Sequence, residues 1–273
     1  MIGGSSVSQS LMKVLQNRRW QCCTRPFVHY IARDVFVPQF YAELDAAFGE
    51  LLNRGLSEQH DPTRFSRNIR NYDAYSILFD WNMPEPFRLF ISREWHDMLA
   101  QLADIPATGD VTGGFHHHRP GSNSGQIHND LNPGWFVDAQ DPHNVNLSRN
   151  DLCDYSSGQV YGTGIRVHES VRALAVLIFL HNSMWREHDG GETGLYNSSA
   201  QAIDFPSKAV PPVSNTLLIF ECTPRSYHSF LQNRNGARNS MIMWLHRPKS
   251  DVIQRWGRDA IVGWDHETKG QPR

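Results

Sequence analysis

Four cysteines in 273 residues, no run of five or six like charges and no long apolar stretch are the chain's first features, and each scarcity excludes something. Cys22 and Cys23 adjoin while Cys153 and Cys222 stand alone, so no pair has the short spacing of a structural zinc site. Adjacent cysteines rarely bridge each other, and nothing nearby would activate a thiolate. A reducing compartment is therefore expected. Lys plus Arg total 26 against 28 for Asp plus Glu, without the basic stripe of a nucleic-acid or anionic-membrane binder. Neither partner is expected. Ala173 to Leu180, the clearest apolar run, is far too short to span a bilayer, and no charged start leads into an apolar signal core. The expectation is a soluble, cytoplasmic protein. Residues 1–33 lack Asp and Glu and carry Lys13, Arg18, Arg19, Arg25 and Arg33, which keeps organelle targeting as the alternative.

What is present divides into two halves. Val7, Leu11, Val14 and Leu15 at helical spacing predict a short helix from Ser6 to Gln16. Phe27, His29, Ile31, Val35 and Val37 alternate as in a strand between Pro26 and Pro38. Phe40, Tyr41, Leu44, Phe48, Leu51 and Leu52 then form a helical stripe ending near Gly55. A second helix is predicted from Glu85 to Leu102 on the stripe Phe87, Phe90, Ile91, Trp95, Met98, Leu99 and Leu102. After Pro106 the pattern changes to short apolar strands between Gly, Pro, Asn and Asp clusters, as in a β-sandwich or barrel. Ala173 to Leu180, Thr216 to Phe220 and Ser240 to Leu245 are the clearest of these. The expected class is α+β, as one domain over 1–273. Residues 1–105 form a mainly helical flank, 106–247 a β core, and 248–273 a C-terminal extension. The core holds an insertion at 131–172, long for a structureless loop and read as a lid or substrate-binding element.

In Gln126-Ile127-His128-Asn129-Asp130 an imidazole and a carboxylate stand two residues apart, which in an extended strand puts both on one face. Alone, the triplet is weak in a chain with 14 histidines and 28 acids. Downstream, the apolar run Thr216 to Phe220 leads through a polar turn to His228, a candidate third ligand. Two histidines and one carboxylate on one face of an octahedral ion make the facial triad of non-haem Fe(II) oxygenases. Ten residues later Arg238 opens a strand in which Arg238, Ser240, Ile242 and Trp244 share a face. An inward guanidinium needs a partner, and its rigid fork suits a carboxylate. The distal carboxylate of 2-oxoglutarate would serve, with the Ser240 hydroxyl beside it.

These segments, with Arg119-Pro120-Gly121 and Asp189-Gly190-Gly191-Glu192-Thr193, resemble the Fe(II)/2-oxoglutarate dioxygenases, in their prolyl 4-hydroxylase-like branch. The resemblance spans roughly residues 26–247 and implies a double-stranded β-helix, or jelly-roll, core. It implies that His128, Asp130 and His228 bind Fe(II), and that 2-oxoglutarate chelates the iron. The reaction it implies consumes O2, releases succinate and CO2, and usually leaves a hydroxyl on the substrate. Relatives that halogenate carry Gly or Ala in place of the acid, so Asp130 implies oxygenation. Prolyl hydroxylases proper usually anchor the co-substrate with lysine, and a tyrosine often stands where His118 does. Arg238 therefore points to a small-molecule substrate, an amino acid or biosynthetic intermediate, with a peptidyl residue as the alternative. His118 is read as pocket-lining, His116 and His117 as strand polarity. Glu192 and Thr193 are read as strand continuation and Trp244 as a core aromatic. Arg64, Arg67, Arg70, Tyr161 and Arg166 are candidates to meet a polar substrate, although each also suits a solvated face. A non-catalytic jelly-roll binding protein and a zinc hydrolase remain as other classes; no HExxH motif accompanies the latter.

Overall fold

The structure, a computed structural model, describes residues 9–67, 72–138 and 143–264. The N-terminal flank runs α1 (Gln9–Val14), β1 (Gln21–Cys23), β2 (His29–Arg33), α2 (Pro38–Asn53), β3 (Leu56–Ser57), β4 (Phe65–Ser66), β5 (Tyr75–Leu78), α3 (Glu85–Arg88) and α4 (Arg93–Leu102). Beyond it come β6 (Asp110–His118), β7 (Pro133–Val137), β8 (Asn146–Leu147), β9 (Val167–Phe179), β10 (Thr193–Tyr196), β11 (Lys208–Val210), β12 (Thr216–Glu221), β13 (Tyr227–Phe230), β14 (Arg238–Pro248) and α5 (Lys249–Trp256). The start of the helix predicted from Ser6 lies outside the described residues.

Among the described residues eleven strands make a major sheet, in the order β1-β2-β12-β9-β14-β6-β5-β4-β3 with β7 on β9 and β8 on β6. The minor sheet is β11-β10-β13. Leu177, Phe179 and Leu218 of the major sheet meet Leu195 and Val210 of the minor one in a shared apolar layer. This is the double-stranded β-helix. A second layer lies on the major sheet's other face, where Met241, Met243 and Leu245 pack with Phe48, Phe87 and Trp95 of the helices. The alternation along β14 thus separates a structural face from an inward face carrying Arg238, Ser240, Ile242 and Trp244.

Two departures from the sequence reading have physical causes. The helix predicted across Glu85 to Leu102 is broken: α3 tightens into a 3₁₀ turn at Leu89–Ile91, and Ser92 is extended before α4 begins. The Ser92 hydroxyl accepts from the Trp95 amide at 3.2 Å and donates to the Leu89 carbonyl at 2.7 Å, so a serine inside the stripe acts as an N-cap. The break lets Phe87, Phe90, Trp95 and Leu99 all be buried. The other departure is a bulge. Leu245 pairs with Leu174 but His246 pairs with Arg172, leaving Ala173 unmatched. Simple alternation would put Arg172 on the face of Leu174 and Val176; the extra residue turns it inward with Trp244.

No helix among the described residues is long and apolar enough to cross a membrane, and the four cysteines are free. β6 needs its two glycines because strands crowd it from both sides. A Cβ on Gly114 would stand 2.1 Å from the Ile77 carbonyl oxygen, and one on Gly113 2.5 Å from that of Ile242. Gly114→Ala should therefore push β5 off β6 and lower unfolding stability in urea by about 1–3 kcal/mol, the usual range for overpacking.

Candidate metal centre

His128 and His228 are pinned side by side by their own backbones. The His128 amide donates to the His228 carbonyl at 3.1 Å and the His228 amide returns the bond at 2.9 Å. His128 thus lies in a single bridge to β13 rather than in a full strand. Each imidazole is oriented from behind: Nδ1 of His128 donates to the Gln126 carbonyl at 2.8 Å, and Nδ1 of His228 to that of Ser226 at 3.1 Å. Both Nε2 lone pairs are left facing Asp130, whose Oδ1 lies 3.6 Å from His128 and Oδ2 3.3 Å from His228. The three ligand atoms fall within 4.8 Å of one another. Such a set of two neutral imidazoles and a carboxylate fits a divalent first-row metal with open positions on one side.

The electrostatics favour an ionised Asp130 and a neutral His128. Burial alone would raise the Asp130 carboxyl, but His228, Arg172 and His128 outweigh it and hold it well below the usual carboxylate range. Burial, joined by His228, lowers His128 against the opposing pull of Asp130. An ionised acid beside a neutral imidazole is what a metal needs. Two donors outside the triad meet the carboxylate: Nη1 of Arg172 reaches Oδ1 at 3.1 Å and Nε1 of Trp244 reaches Oδ2 at 2.8 Å. The arginine lies over the Trp244 ring at 3.7 Å. Trp244 is therefore a hydrogen-bond donor to the site as well as a buried-side aromatic. Arg172 escaped the sequence reading, although an arginine heading an eight-residue apolar run was its visible trace.

Arg238 presents the converse situation. It is 3% exposed, and no carboxylate pairs with it among the described residues. Its Nη1 lies 3.4 Å from the Ser240 hydroxyl and Nη2 3.2 Å from that of Thr193, while Nε has no partner. Phe179 and Phe230 flank the guanidinium at 5.2 and 5.1 Å. His118, its cross-strand partner, donates Nδ1 to the Asp73 carbonyl and stacks on Phe230 at 4.0 Å, leaving a buried Nε2 unpaired. The unpaired guanidinium fits an incoming carboxylate, whereas His118, with its proton on Nδ1, offers Nε2 only as an acceptor. Thr193, read from sequence as mere strand continuation, is therefore part of the pocket. So is Tyr72, whose ring stands edge-on to His118 at 5.3 Å; no motif marked it.

His116 and His117, read as strand polarity, do stand on β6 and project to opposite faces. Both are buried. His116 shares the inward face, its pKa lowered to about 3 by burial and by Arg238. His117 turns the other way and meets the Asn239 amide oxygen at 2.7 Å. Arg64 and Arg67 pair with Asp61 and Asp73, each at 2.8 Å, Arg166 and Tyr161 are exposed, and Arg70 lies outside the described residues.

Residues 127–246 match the family model described as the 2OG-Fe(II) oxygenase superfamily, a span that holds all three triad residues and Arg238. No curated protein matches the chain. Among solved structures, a Pseudomonas putida prolyl-4-hydroxylase is 16% identical, with 80% of this chain and 92% of that one covered at a TM-score of 0.51. A Trichoplax adhaerens prolyl hydroxylase, solved with a hypoxia inducible factor peptide fragment, is also 16% identical, covering 83% and 86% at a TM-score of 0.50. At that identity the likeness is one of fold, and the family match supplies the chemistry: residues 127–246 match the 2OG-Fe(II) oxygenase superfamily, which uses Fe(II), 2-oxoglutarate and O2, and the convergent His128, Asp130 and His228 within them support a dioxygenase.

Proposed function

We propose that this enzyme hydroxylates an unactivated C–H bond of a small molecule, an amino acid or biosynthetic intermediate, with release of succinate and CO2. In this reading His128, Asp130 and His228 hold the iron, Arg238 anchors the distal carboxylate of 2-oxoglutarate, and Ser240 and His118 line the same pocket. The observation that supports it is a set of three convergent metal-ready donors accompanied by a buried guanidinium with no counter-ion among the described residues. Iron, 2-oxoglutarate and O2 together supply the oxidising power. The protein supplies orientation and electrostatics. The Nδ1 bonds fix both imidazoles, and Arg172 and Trp244 fix the carboxylate, so the ligands need little rearrangement. Arg238 sets the direction in which a dicarboxylate lies, because a fork accepts a carboxylate in one plane.

The preference for a small molecule rests on Arg238 and on how the chain closes beside its own site. The Val262 amide donates to the Leu131 carbonyl at 3.0 Å, Asn132 Nδ2 to the Val262 carbonyl at 2.9 Å, and Trp264 Nε1 to the Pro133 carbonyl at 2.8 Å. The C-terminal segment is thereby bound to residues just after Asp130, and Trp264 comes within 4.9 Å of the Arg172 guanidinium. A flank occupied by the chain itself leaves less room for an extended peptide.

Anaerobic titration with Fe(II) and 2-oxoglutarate, followed by the weak visible charge-transfer band of the chelate, tests the ligand assignments. His128→Ala should abolish the band; an undiminished band would remove His128 from the ligand set. Arg238→Ala should weaken 2-oxoglutarate binding by about two orders of magnitude, as expected for losing one partner of a buried charge pair, and leave Fe(II) binding intact. The same variant should unfold at a higher temperature than wild type without 2-oxoglutarate, because an unpaired buried charge is removed. Succinate release should be stimulated by members of an amino-acid and small-metabolite panel and not by proline-containing peptides. Turnover with peptides alone would overturn the substrate class.

A further inference from the structure

Residues 131–172 do more than flank the site: they carry Tyr155 in beside it. The Trp135 amide donates to the Tyr155 carbonyl at 2.9 Å, and the ring stands edge-on to Phe136 at 5.6 Å and His246 at 5.8 Å. Its hydroxyl lies 2.7 Å from Nε2 of His246 and 3.2 Å from Nε of Arg172. The proton directions follow from the chemistry. Nδ1 of His246 faces the Asp110 carbonyl at 3.3 Å, an acceptor only, so it carries the proton and Nε2 is the lone pair. The Tyr155 hydroxyl then donates to His246 and accepts from Arg172 Nε.

That bond bears on Asp130. A guanidinium beside a carboxylate favours a two-pronged pairing through parallel N–H bonds. On Asp130 such a pairing would engage both oxygens, including Oδ2, which faces His228 at 3.3 Å. The observed contact is single: Nη1 meets Oδ1 at 3.1 Å while Nε is held by Tyr155. We infer that Tyr155 is a positioning residue of the metal centre, tethering Arg172 so that it compensates the charge of Asp130 through one oxygen without taking the carboxylate from the iron. This rests on the assignment of Asp130 as a ligand. It gives the 131–172 segment a part in metal binding.

Fe(II) alone, measured by anaerobic equilibrium dialysis, is the probe, with circular dichroism and thermal unfolding run in parallel. Tyr155→Phe frees Arg172 and should weaken Fe(II) binding roughly tenfold, the lower end of what outer partners of metal ligands contribute. Adding Arg172→Met removes the competing fork, and the double variant should return to within about threefold of wild type, which loss of packing would not do. Gly134→Ala provides an independent route, because a Cβ there would stand 2.4 Å from the Tyr155 ring and displace it. It should reproduce the tenfold loss, again reversed by Arg172→Met. Wild-type affinity in both Tyr155→Phe and Gly134→Ala, or a double variant weaker than its single parent, would overturn the inference while leaving the iron assignment standing. Failure of the wild-type protein to bind Fe(II) would overturn both.

Discussion

The negative charge of Asp130, buried between two imidazoles, is the constraint that the surrounding structure answers. A carboxylate taken out of water is stabilised only by opposite charge and hydrogen bonds, and stripping one partner from such a pair typically costs about 3–5 kcal/mol. Arg172 supplies the charge and Trp244 a neutral donor, so the arginine is the larger of the two contributions. Its placement depends on the bulge between β9 and β14, since without the unmatched Ala173 the side chain would face the helices. A local irregularity of one residue thus brings to Asp130 one of the groups that, with His228, keep it ionised.

Arg238 shows what the same fold does with a charge it leaves unmet. Hydroxyls of Ser240 and Thr193 are its hydrogen-bond partners, at 3.4 and 3.2 Å, and its Nε is unpaired. Such contacts offset only part of the desolvation of a guanidinium. The remainder is free energy that a carboxylate bound there would recover, which would link ligand binding to stability. The contrast separates two buried arginines: Arg172 is paired with Asp130, whereas Arg238 meets no carboxylate among the described residues.

The sequence revealed these roles unevenly, for physical reasons. The convergence of His128, Asp130 and His228 and the inward placement of Arg238 were legible because two-residue alternation and spacing mark which side chains share a face. The inward and outward faces of β14 followed from the same alternation. Arg172 was hidden because a bulge reverses alternation without leaving a mark in the residue pattern. Tyr72 and Tyr155 come from segments with no periodicity, so only long-range packing brings them to the site. The break at Ser92 was obscured by a continuous apolar stripe. Yet serine in a helical stripe is itself a capping residue, and its hydroxyl captured the Trp95 amide. Strand polarity did not reveal how deeply the adjacent histidines are buried, with His117 held by the Asn239 amide oxygen.

The minor sheet joins the two halves of the site. β13 carries His228, and its antiparallel neighbour β10 carries Thr193, with Leu195 opposite His228 and Thr193 opposite Phe230. One strand pair therefore presents His228, a candidate metal ligand, and the hydroxyl and ring that bracket Arg238, so a one-residue slip would misplace all of them together. Gly190 and Gly191 set that register. Both have positive φ, at 79° and 81°, and the Gly191 amide donates to the Gln232 carbonyl at 3.0 Å. A Cβ on Gly190 would lie 2.0 Å from the Gln232 carbonyl oxygen, so no other residue lets the chain pass this close before β10 begins. The glycine pair thus aligns His228 with the residues around Arg238.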